Sequence, residues 1–183
     1  RDAGIPTPEW VWYDTADGNP DDLIAQIGLP CVVKPNDCGS SVGVSIVSDR
    51  AALEAALSEA AKWGRRVLVE KKIVGRELTV GVLDGRALPP VEIIPKSGFY
   101  DYRNKYQGTT LEICPAEIPA GITSLVSSLS LRAFEVLRLD GYARFDFILD
   151  ANGTPWCLEA NALPGMTPTS LLPQEAAAVG ISY

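Results

Sequence analysis

The sequence contains no histidine and only one methionine, Met166, in 183 residues. Without histidine the chain cannot use Ser-His-Asp or Cys-His catalysis, nor can it form a histidine-ligated metal site. No Cys-x-x-Cys pair occurs among the four cysteines, which argues against zinc. No apolar run approaches the ~18 residues of a membrane span, and no secretory signal opens the chain. We therefore expect reduced thiols in a cytoplasmic protein.

The charge balance is acidic, with 16 basic and 23 acidic side chains and a formal net charge of −7. This balance argues against a general nucleic-acid binder or a basic membrane-surface protein. Hydrophobic residues make up 46% of the chain, enough for a sizeable core. At ~150 residues per domain the length fits one domain or two small lobes. Because the chain begins at Arg1 rather than methionine, we expect it to be a piece of something longer.

Helix and strand patterns mix without strict βαβ alternation, which favours an α+β fold with mainly antiparallel sheets. A break near Gly75 would divide the chain into lobes of about 1–75 and 76–183. The stretch Pro95–Thr110 is polar and aromatic and is predicted to be a loop. The predicted elements are a helix from Pro20 that stops at Gly28, strands at Cys31–Lys34, 43–47 and Val67–Val69, a helix from Asp49 to Trp63, a hairpin of Leu78–Leu83 and Ala87–Ile94, a helix from about Thr123 to Leu139, two strands flanking Ala151–Gly153, and a short helix near Pro173–Val179.

The most informative segment is YARFDFILDANGTPWCLEAN, from Tyr142 to Asn161. If Asn152-Gly153 forms a two-residue hairpin turn, Asp146 faces Glu159 and Arg144 faces Asn161. Strand side chains alternate, so these four residues share one face. The opposite face would hold the apolar residues Phe145, Phe147, Leu149, Trp156, Leu158 and Ala160.

Two carboxylates held this close must share a proton or a cation. Oxygen ligands with an adjacent amide suit Mg²⁺ or Mn²⁺ and not zinc, and Mg²⁺ with few protein ligands usually also holds phosphates. Arg144 would then bind an anion or a developing oxyanion. The alternative is a solvated polar face with a chance carboxylate pair.

A candidate phosphate site lies at KPNDCGSSVG, from Lys34 to Gly43. Lys34 ends an apolar strand, and the following turn offers backbone N–H groups with the hydroxyls of Ser40 and Ser41. No P-loop and no strand-turn-helix dinucleotide motif is present. The alternative is a lysine that extends to solvent at an ordinary hairpin turn.

A second candidate is the tyrosine-rich loop FYDYRNKY, which carries Lys105 and Tyr106. A long loop of this kind is uncommon unless it covers a ligand, although a surface loop anchored by tyrosines is the alternative. Glu70 and Glu77 lie near the predicted break and could hold a ribose or an adenine amine. Ordinary surface glutamates are the alternative.

Six segments in order resemble the D-alanine–D-alanine ligase family of the ATP-grasp superfamily. They are VVKPNDCGSSVGVS, VEKKIVGRELTVGVL, FYDYRNKY, CPAEIP, ARFDFIL and LEANALPGMTPTSLLP. The resemblance runs from Gly4 to the end of the chain, and the Glu159–Pro173 pattern is its most specific part. It implies an ATP-grasp fold in which ATP is held between two α+β lobes. The family's amino-terminal domain, of about a hundred residues, has no counterpart here.

The resemblance implies a role for each candidate residue. For ATP it implies phosphate contacts from Lys34, Ser41 and Lys105, adenine contacts from Glu70, Lys71 and Ile73, and a ribose contact from Glu77. For Mg²⁺ or Mn²⁺, with two ions, it implies the ligands Asp146, Glu159 and Asn161. For the amino acids it implies oxyanion contacts from Arg144 and Gly165, substrate positioning by Ser40 and Tyr106, and carboxylate binding at Ser170 and Leu171.

The implied activity is ATP-dependent ligation of two D-alanine molecules through an acyl phosphate, for peptidoglycan precursor synthesis. Full-length relatives are expected to be homodimers, without nucleic-acid or membrane partners. The tyrosine after Lys105 resembles ligases that make D-alanyl-D-alanine rather than depsipeptides. Two other functions stay open: an ATP-grasp ligase with another acceptor, and a nucleotide-binding fragment that is inactive in isolation. Cys38 and Ala162 depart from residues common in the family.

Overall fold

The structure is a computed structural model that describes residues 2–39, 41–95 and 110–182. These residues form two compact units, one of Pro8–Ile73 and one of residues 2–7, 74–95 and 110–182. We refer to them as the first and second units. Every strand pairing in the described residues is antiparallel. Among the same residues, no helix combines the length and apolar character needed to cross a membrane.

The first unit is a four-stranded sheet with two helices against one face. Its strands follow the order β1-β4-β2-β3, and the core lies between the sheet and the helices. The elements are β1 (Trp10–Asp14), α1 (Pro20–Ile27), β2 (Cys31–Pro35), β3 (Ser45–Val47), α2 (Arg50–Ala60) and β4 (Arg66–Lys71). The sequence patterns did not predict β1, which pairs with β4 at the edge of the sheet.

Local capping chemistry explains both helices of this unit. The Asn19 side chain accepts a hydrogen bond from the Asp21 N–H at 3.0 Å, and Gly28, with φ 77°, ends α1. The Asp49 side chain accepts from the Ala52 N–H at 2.8 Å and starts α2. The prediction for α1 is confirmed; α2 ends at Ala60, three residues before the predicted end.

The second unit is a six-stranded sheet with a helix on each face. The main path follows the order β10-β9-β5-β7-β8, and β6 pairs with β5. The elements are β5 (Gly75–Leu83), β6 (Arg86–Ala87), β7 (Val91–Pro95), β8 (Thr110–Ile113), α3 (Ala120–Val136), β9 (Tyr142–Asp150), β10 (Pro155–Asn161) and α4 (Leu171–Ala178). Helix α3 packs on one face of the sheet, while α4 packs on the other, against Leu88, Leu83 and Tyr142. Pro95 and Thr110, the ends of the predicted loop, belong to strands, and residues 96–109 lie outside the described residues.

The predicted hairpin around Asp84-Gly85 is correct at its turn and wrong along its second strand. Asp84 and Gly85 have φ values of 47° and 71°, as a two-residue hairpin turn requires. The returning strand stops at Ala87 and resumes as β7 at Val91. Pro89 and Pro90 lie in the gap, and because proline has no backbone N–H they cannot continue the ladder.

Strand β9 supports the core of the second unit through Phe145 and Phe147, both fully buried. We predict that Phe147→Ala lowers the free energy of unfolding by about 3–5 kcal/mol, because it leaves a cavity beneath α3. Val136→Ala is the control, since Val136 is half exposed and a change there costs within about 0.5 kcal/mol. Urea titrations followed by circular dichroism measure both. Equal losses in the two variants would contradict this account of the core.

Candidate functional site

The face of β9 opposite the core carries Arg144 and Asp146. Arg144 pairs across the ladder with Gly81 of β5 and with Asn161 of β10, while Asp146 pairs with Thr79 and with Glu159. Because strand side chains alternate, these residues share one face of the sheet. We call Arg144, Asp146, Glu159 and Asn161, together with Thr79, the polar cluster. The predicted pairing of Asp146 with Glu159 is confirmed, and so is the pairing of Arg144 with Asn161.

The turn that was expected to set this register is different from the prediction. Asp150, rather than an isolated Asn152-Gly153 pair, organises a three-residue loop: its carboxylate accepts from the N–H groups of Asn152 and Thr154 and from the Trp156 indole. Gly153, with φ 81°, takes the left-handed conformation typical of such a loop. This loop alone would place Glu159 out of register with Asp146. A β-bulge between Cys157 and Glu159 inserts one residue and restores the pairing.

The bulge also changes which residues of β10 face the core. Cys157 pairs with Phe147 and Pro155 pairs with Leu149, so both lie on the core side. The prediction that Trp156 lies on that side is wrong, because it assumed one register along the whole strand; Leu158, which has no register partner, lies within the bulge. Burial, followed by the charges of Asp146 and Glu159, raises the pKa of Cys157 to about 12. The thiol therefore stays protonated, and it is not an activated nucleophile.

Asp146 accepts four hydrogen bonds. Its Oδ1 receives Arg144 Nε at 2.9 Å and Thr79 Oγ1 at 2.5 Å. Its Oδ2 receives Arg144 Nη2 at 3.0 Å and Asn161 Nδ2 at 3.1 Å. Burial opposes ionisation of this carboxyl, but the bonds and charge of Arg144, with the Thr79 hydroxyl, outweigh burial and lower its pKa.

Arg144 is itself largely buried, with 14% of its side chain exposed. Burial disfavours its charged form, whereas the bidentate pair with Asp146 favours it more strongly, so its pKa is raised. The planar guanidinium is thus held in a fixed orientation on the same face as the carboxylates. A fixed, partly desolvated guanidinium is suited to bind an oxyanion.

The donor set of the polar cluster fits a hard divalent cation. The Asn161 amide nitrogen lies 3.1 Å from a carboxylate oxygen of both Asp146 and Glu159, so the three side chains meet at one point. Turned over, the same amide would present its oxygen there, giving two carboxylates and one carbonyl oxygen, ligands that Mg²⁺ and Mn²⁺ accept. Within residues 2–39, 41–95 and 110–182, no three side chains of the His, Cys, Asp and Glu types gather at a possible metal site. Zinc-type coordination is therefore not supported there.

Two candidate nucleotide residues of the first unit, Lys34 and Glu70, pair with each other on the sheet face opposite its helices. Lys34 Nζ lies 2.5 Å from Glu70 Oε2, and both side chains are mostly buried. Val32, on β2, is the register partner of Glu70 and lies beside them. A lysine held this way is a pre-positioned cation whose charge is balanced by one carboxylate.

The loop after Lys34 contains two residues in the left-handed conformation. Ser41 has φ 60° and Gly43 has φ 73°, and the Val44 N–H donates to the Ser41 carbonyl at 3.3 Å. Tight turns with such residues can present backbone N–H groups to an anion, which is the role that the sequence predicts for this segment. Ser40 lies outside the described residues, as do Lys105 and Tyr106.

The other predicted nucleotide residues lie at or near the ends of β4 and β5. Lys71 ends β4, where its N–H donates to Glu9 and its ammonium lies 3.7 Å from the Glu9 carboxylate. Ile73 follows it in the chain. Glu77 lies in β5 opposite Ile148, on the same face as the polar cluster.

Ser170 organises the loop that precedes α4. Its hydroxyl accepts from the Thr167 N–H at 3.0 Å and lies 2.8 Å from the Thr167 hydroxyl. A Cβ at Gly165 would come within 2.9 Å of that hydroxyl, so any larger residue there would have to displace the Ser170 side chain. Leu171 is buried at the first position of α4. The structure therefore brings Gly165 and Ser170 close together in this loop.

The D-ala D-ala ligase C-terminus family matches residues 1–183, the whole chain. This chain belongs to that family. A D-alanine–D-alanine ligase from Synechococcus sp. (strain JA-3-3Ab) is 44% identical over 186 aligned residues, which cover 100% of this chain and 58% of the relative. The crystal structure of the Bacillus anthracis D-alanine–D-alanine ligase superposes with a TM-score of 0.87 at 42% identity, covering 100% of this chain and 60% of that one. A structure from the same organism complexed with ATP has a TM-score of 0.84 at 39% identity and covers 59% of that chain.

The ligase family resemblance and the predicted α+β, ATP-grasp fold class are thus confirmed. The chain spans a little under three fifths of the length of the D-alanine–D-alanine ligases it matches.

Three residues in or beside the polar cluster escaped the sequence prediction: Thr79, Gly81 and Glu175. Thr79 and Gly81 occur in an ordinary strand pattern, and only the pairing of β5 with β9 brings them to Arg144 and Asp146. Glu175 did leave a signal. It interrupts the apolar face that α4 otherwise forms with Leu171, Leu172 and Ala176.

Glu175 is fully buried, and neither of its carboxyl oxygens makes a well-formed hydrogen bond, although the Gly81 backbone N–H faces the carboxyl. Burial raises the pKa of this carboxyl well above its usual value. The Gly81 N–H and the charge of Arg144 offset part of the effect, and the negative charge of Asp146 adds to it. Cys114, beyond β8, also interacts electrostatically with it. The folded chain therefore holds the Glu175 proton more tightly than the unfolded chain does.

We predict that Glu175 makes the folded chain less stable as the pH rises. A raised folded-state pKa gives stability that is fully present below the unfolded-state value, about 4.3, and falls as the pH rises toward the folded-state value. Glu175→Gln removes this dependence, so the melting temperature of the variant minus that of the wild type should increase between pH 5 and pH 8. Thermal melts across that range measure it. A constant difference would contradict a buried, protonated Glu175.

Proposed function

We propose that this chain carries the nucleotide-binding and cation-binding groups of an ATP-dependent ligase that joins two D-alanine molecules. The observation that carries the proposal is the polar cluster, in which a buried carboxylate, a second carboxylate and an amide converge beside a fixed arginine. The names of the relatives support D-alanine as the substrate. The ATP complex of the Bacillus anthracis ligase supports ATP.

Asp146, Glu159 and Asn161 are the proposed ligands of one or two Mg²⁺ or Mn²⁺ ions. When bound there, the cation would neutralise charge on the ATP phosphates. Lys34 would contribute a second positive charge, released from Glu70 to a phosphate oxygen. Ser41 would add a hydroxyl and the backbone of its loop. Glu70, Lys71, Ile73 and Glu77 are the proposed contacts to adenine and ribose.

The proposed reaction has two steps. A carboxylate oxygen of the first D-alanine attacks the γ-phosphorus of ATP, and ADP leaves, giving an acyl phosphate. The amine of the second D-alanine attacks the acyl carbon, the resulting tetrahedral intermediate expels phosphate, and the nitrogen loses a proton. Both steps transfer groups between bound substrates, so no protein nucleophile is needed. This agrees with the absence of histidine and the protonated Cys157.

Arg144 has the clearest chemical role in the second step. Negative charge develops on the carbonyl oxygen of the tetrahedral intermediate, and a fixed guanidinium in a partly desolvated site stabilises such charge more than water does. The Gly165 backbone is the proposed second donor. Ser170 and Leu171, at the start of α4, are the proposed contacts to the carboxylate of the second D-alanine.

The proposal extends to residues and properties beyond the described geometry. Lys105 is the proposed second lysine at the phosphates, while Ser40 and Tyr106 are proposed to position the amino acids. The lobes of about 1–75 and 76–183, a cytoplasmic location and a homodimeric full-length protein remain parts of the hypothesis.

The deciding experiment is phosphate release from ATP with Mg²⁺, measured with and without D-alanine. Release that requires D-alanine, and that L-alanine does not support, would establish ligase chemistry in these 183 residues. Release with another acceptor alone would identify a different ligase of the same type. Nucleotide binding without release would indicate that residues outside this chain complete the site.

The cation assignment makes a separate prediction. Asp146→Asn should weaken Mg²⁺-dependent ATP binding by about tenfold or more, since it removes the charge of the most buried ligand. Asp150→Asn is a matched control, because Asp150 lies on the same face of the same strand but holds the turn. Calorimetric titration with Mg²⁺ and with EDTA measures both variants. Unchanged Mg²⁺-dependent binding in Asp146→Asn would exclude the polar cluster as the cation site.

A further inference from the structure

Glu175 occupies a space that exists because residue 81 is glycine. A Cβ placed on Gly81 would lie 2.1 Å from Glu175 Oε2, so the carboxyl group fills the position of the missing side chain. Leu172 and Ala176, on the same helix, pack against Leu88 and bury the surrounding surface. Neither oxygen of Glu175 makes a well-formed hydrogen bond, although the residue is fully buried and the Gly81 backbone N–H faces it. Such a group is costly and calls for an explanation.

Gly81 is the cross-strand partner of Arg144. Directly opposed positions in an antiparallel pair have Cβ atoms about 4.5–5.5 Å apart on the same face. The Glu175 carboxyl therefore lies alongside the Arg144 side chain. It is an acidic neighbour of that arginine in addition to Asp146.

The hydrogen bonds of the two carboxyl groups are complementary. A carboxylate offers about four lone-pair sites. Asp146 uses all of them, for two bonds from Arg144 and one each from Thr79 and Asn161. Glu175 uses none.

A cation that binds Asp146 therefore displaces donors. The bond from Asn161 is lost when its amide turns over to offer its oxygen to the cation. Arg144 engages both oxygens of Asp146, and its positive charge repels the cation, so its bonds to Asp146 are weakened as well. A displaced, mostly buried guanidinium needs a new acceptor, because leaving such a charge unpaired is strongly unfavourable.

We propose that Glu175 is a positioning residue that accepts the Arg144 guanidinium when a divalent cation takes Asp146. The inference rests on the proposed function, since it requires Asp146 to be a cation ligand. A protonated carboxyl keeps a carbonyl oxygen that accepts hydrogen bonds, so the exchange of partners needs no ionisation of Glu175. Glu175 would thereby keep Arg144 oriented on the polar face while the cation is bound.

The test compares two replacements of Glu175 in this chain. Glu175→Gln keeps an acceptor oxygen in the same place, whereas Glu175→Leu has a similar size and no acceptor. The readout is the affinity for an ATP analogue with a non-hydrolysable β–γ bridge, titrated calorimetrically with Mn²⁺ and with EDTA. The ratio of the two affinities reports the gain due to the cation.

We expect Glu175→Leu to reduce this ratio about tenfold, because Arg144 then has no second acceptor. The ratio for Glu175→Gln should stay within about twofold of the wild-type ratio, because glutamine keeps an acceptor oxygen for Arg144. Gly81→Ala provides an independent variant that displaces the carboxyl from β5 and should reduce the ratio as Glu175→Leu does. Leu172→Val is the packing control: it should lower the melting temperature and leave the ratio unchanged.

Two results separate this inference from the proposed function. If Asp146→Asn abolishes the cation-dependent gain while folded Glu175→Leu and Gly81→Ala retain it, Glu175 has no positioning role and the cation site stands. If Asp146→Asn retains the gain, the cation site itself is wrong and the inference falls with it. A loss shared by Glu175→Gln and Glu175→Leu would also overturn the inference, because it would follow from altered packing rather than from the acceptor.

Discussion

The two-residue period of strand β9 is the constraint on which the second unit depends. One set of alternate residues, including Phe145 and Phe147, forms the core beneath α3, and the other set presents Arg144 and Asp146. Because every second side chain of β9 packs in the core, the strand is rigid, and Arg144 and Asp146 are held in fixed positions. A slip of one residue would exchange the two sets, so core packing fixes the position of the chemistry.

Much of this arrangement could be predicted from the sequence because it depends on residues that are close together in the chain. Asn19 and Asp49 mark helix starts, Asp84-Gly85 marks a turn, and alternation in YARFDFIL identifies the core face. The pairing of Asp146 with Glu159 was predicted correctly from a wrong turn, because a longer loop and a bulge compensate for each other. Neither the bulge nor the burial of Glu175 is local in origin. Both depend on which strands and helices pack together.

Both candidate clusters contain charges that are balanced in advance. Lys34 is paired with Glu70 in the first unit, and Arg144 is paired with Asp146 in the second. A buried or half-buried charge without a partner would be unstable, so each cation is kept beside a carboxylate. A phosphate group would replace Glu70 as the partner of Lys34, and a divalent cation would replace Arg144 as the partner of Asp146. The net free energy of binding would then be the difference between the ion pair that is formed and the ion pair that is lost.

The three proposed cation ligands differ in stiffness. Asp146 lies in a strand paired on both sides, whereas Glu159 and Asn161 lie in β10, at the edge of the sheet and beyond the bulge. Before the bulge, β10 is secured on its outer side by the bond from the Cys157 N–H to the Pro6 carbonyl at 2.8 Å. The position of Asp146 is thus fixed by the sheet on both sides, whereas the positions of Glu159 and Asn161 can adjust. Such a site would adapt to ions of slightly different radius, so discrimination between Mg²⁺ and Mn²⁺ would come from the supply of each ion rather than from the dimensions of a rigid cage.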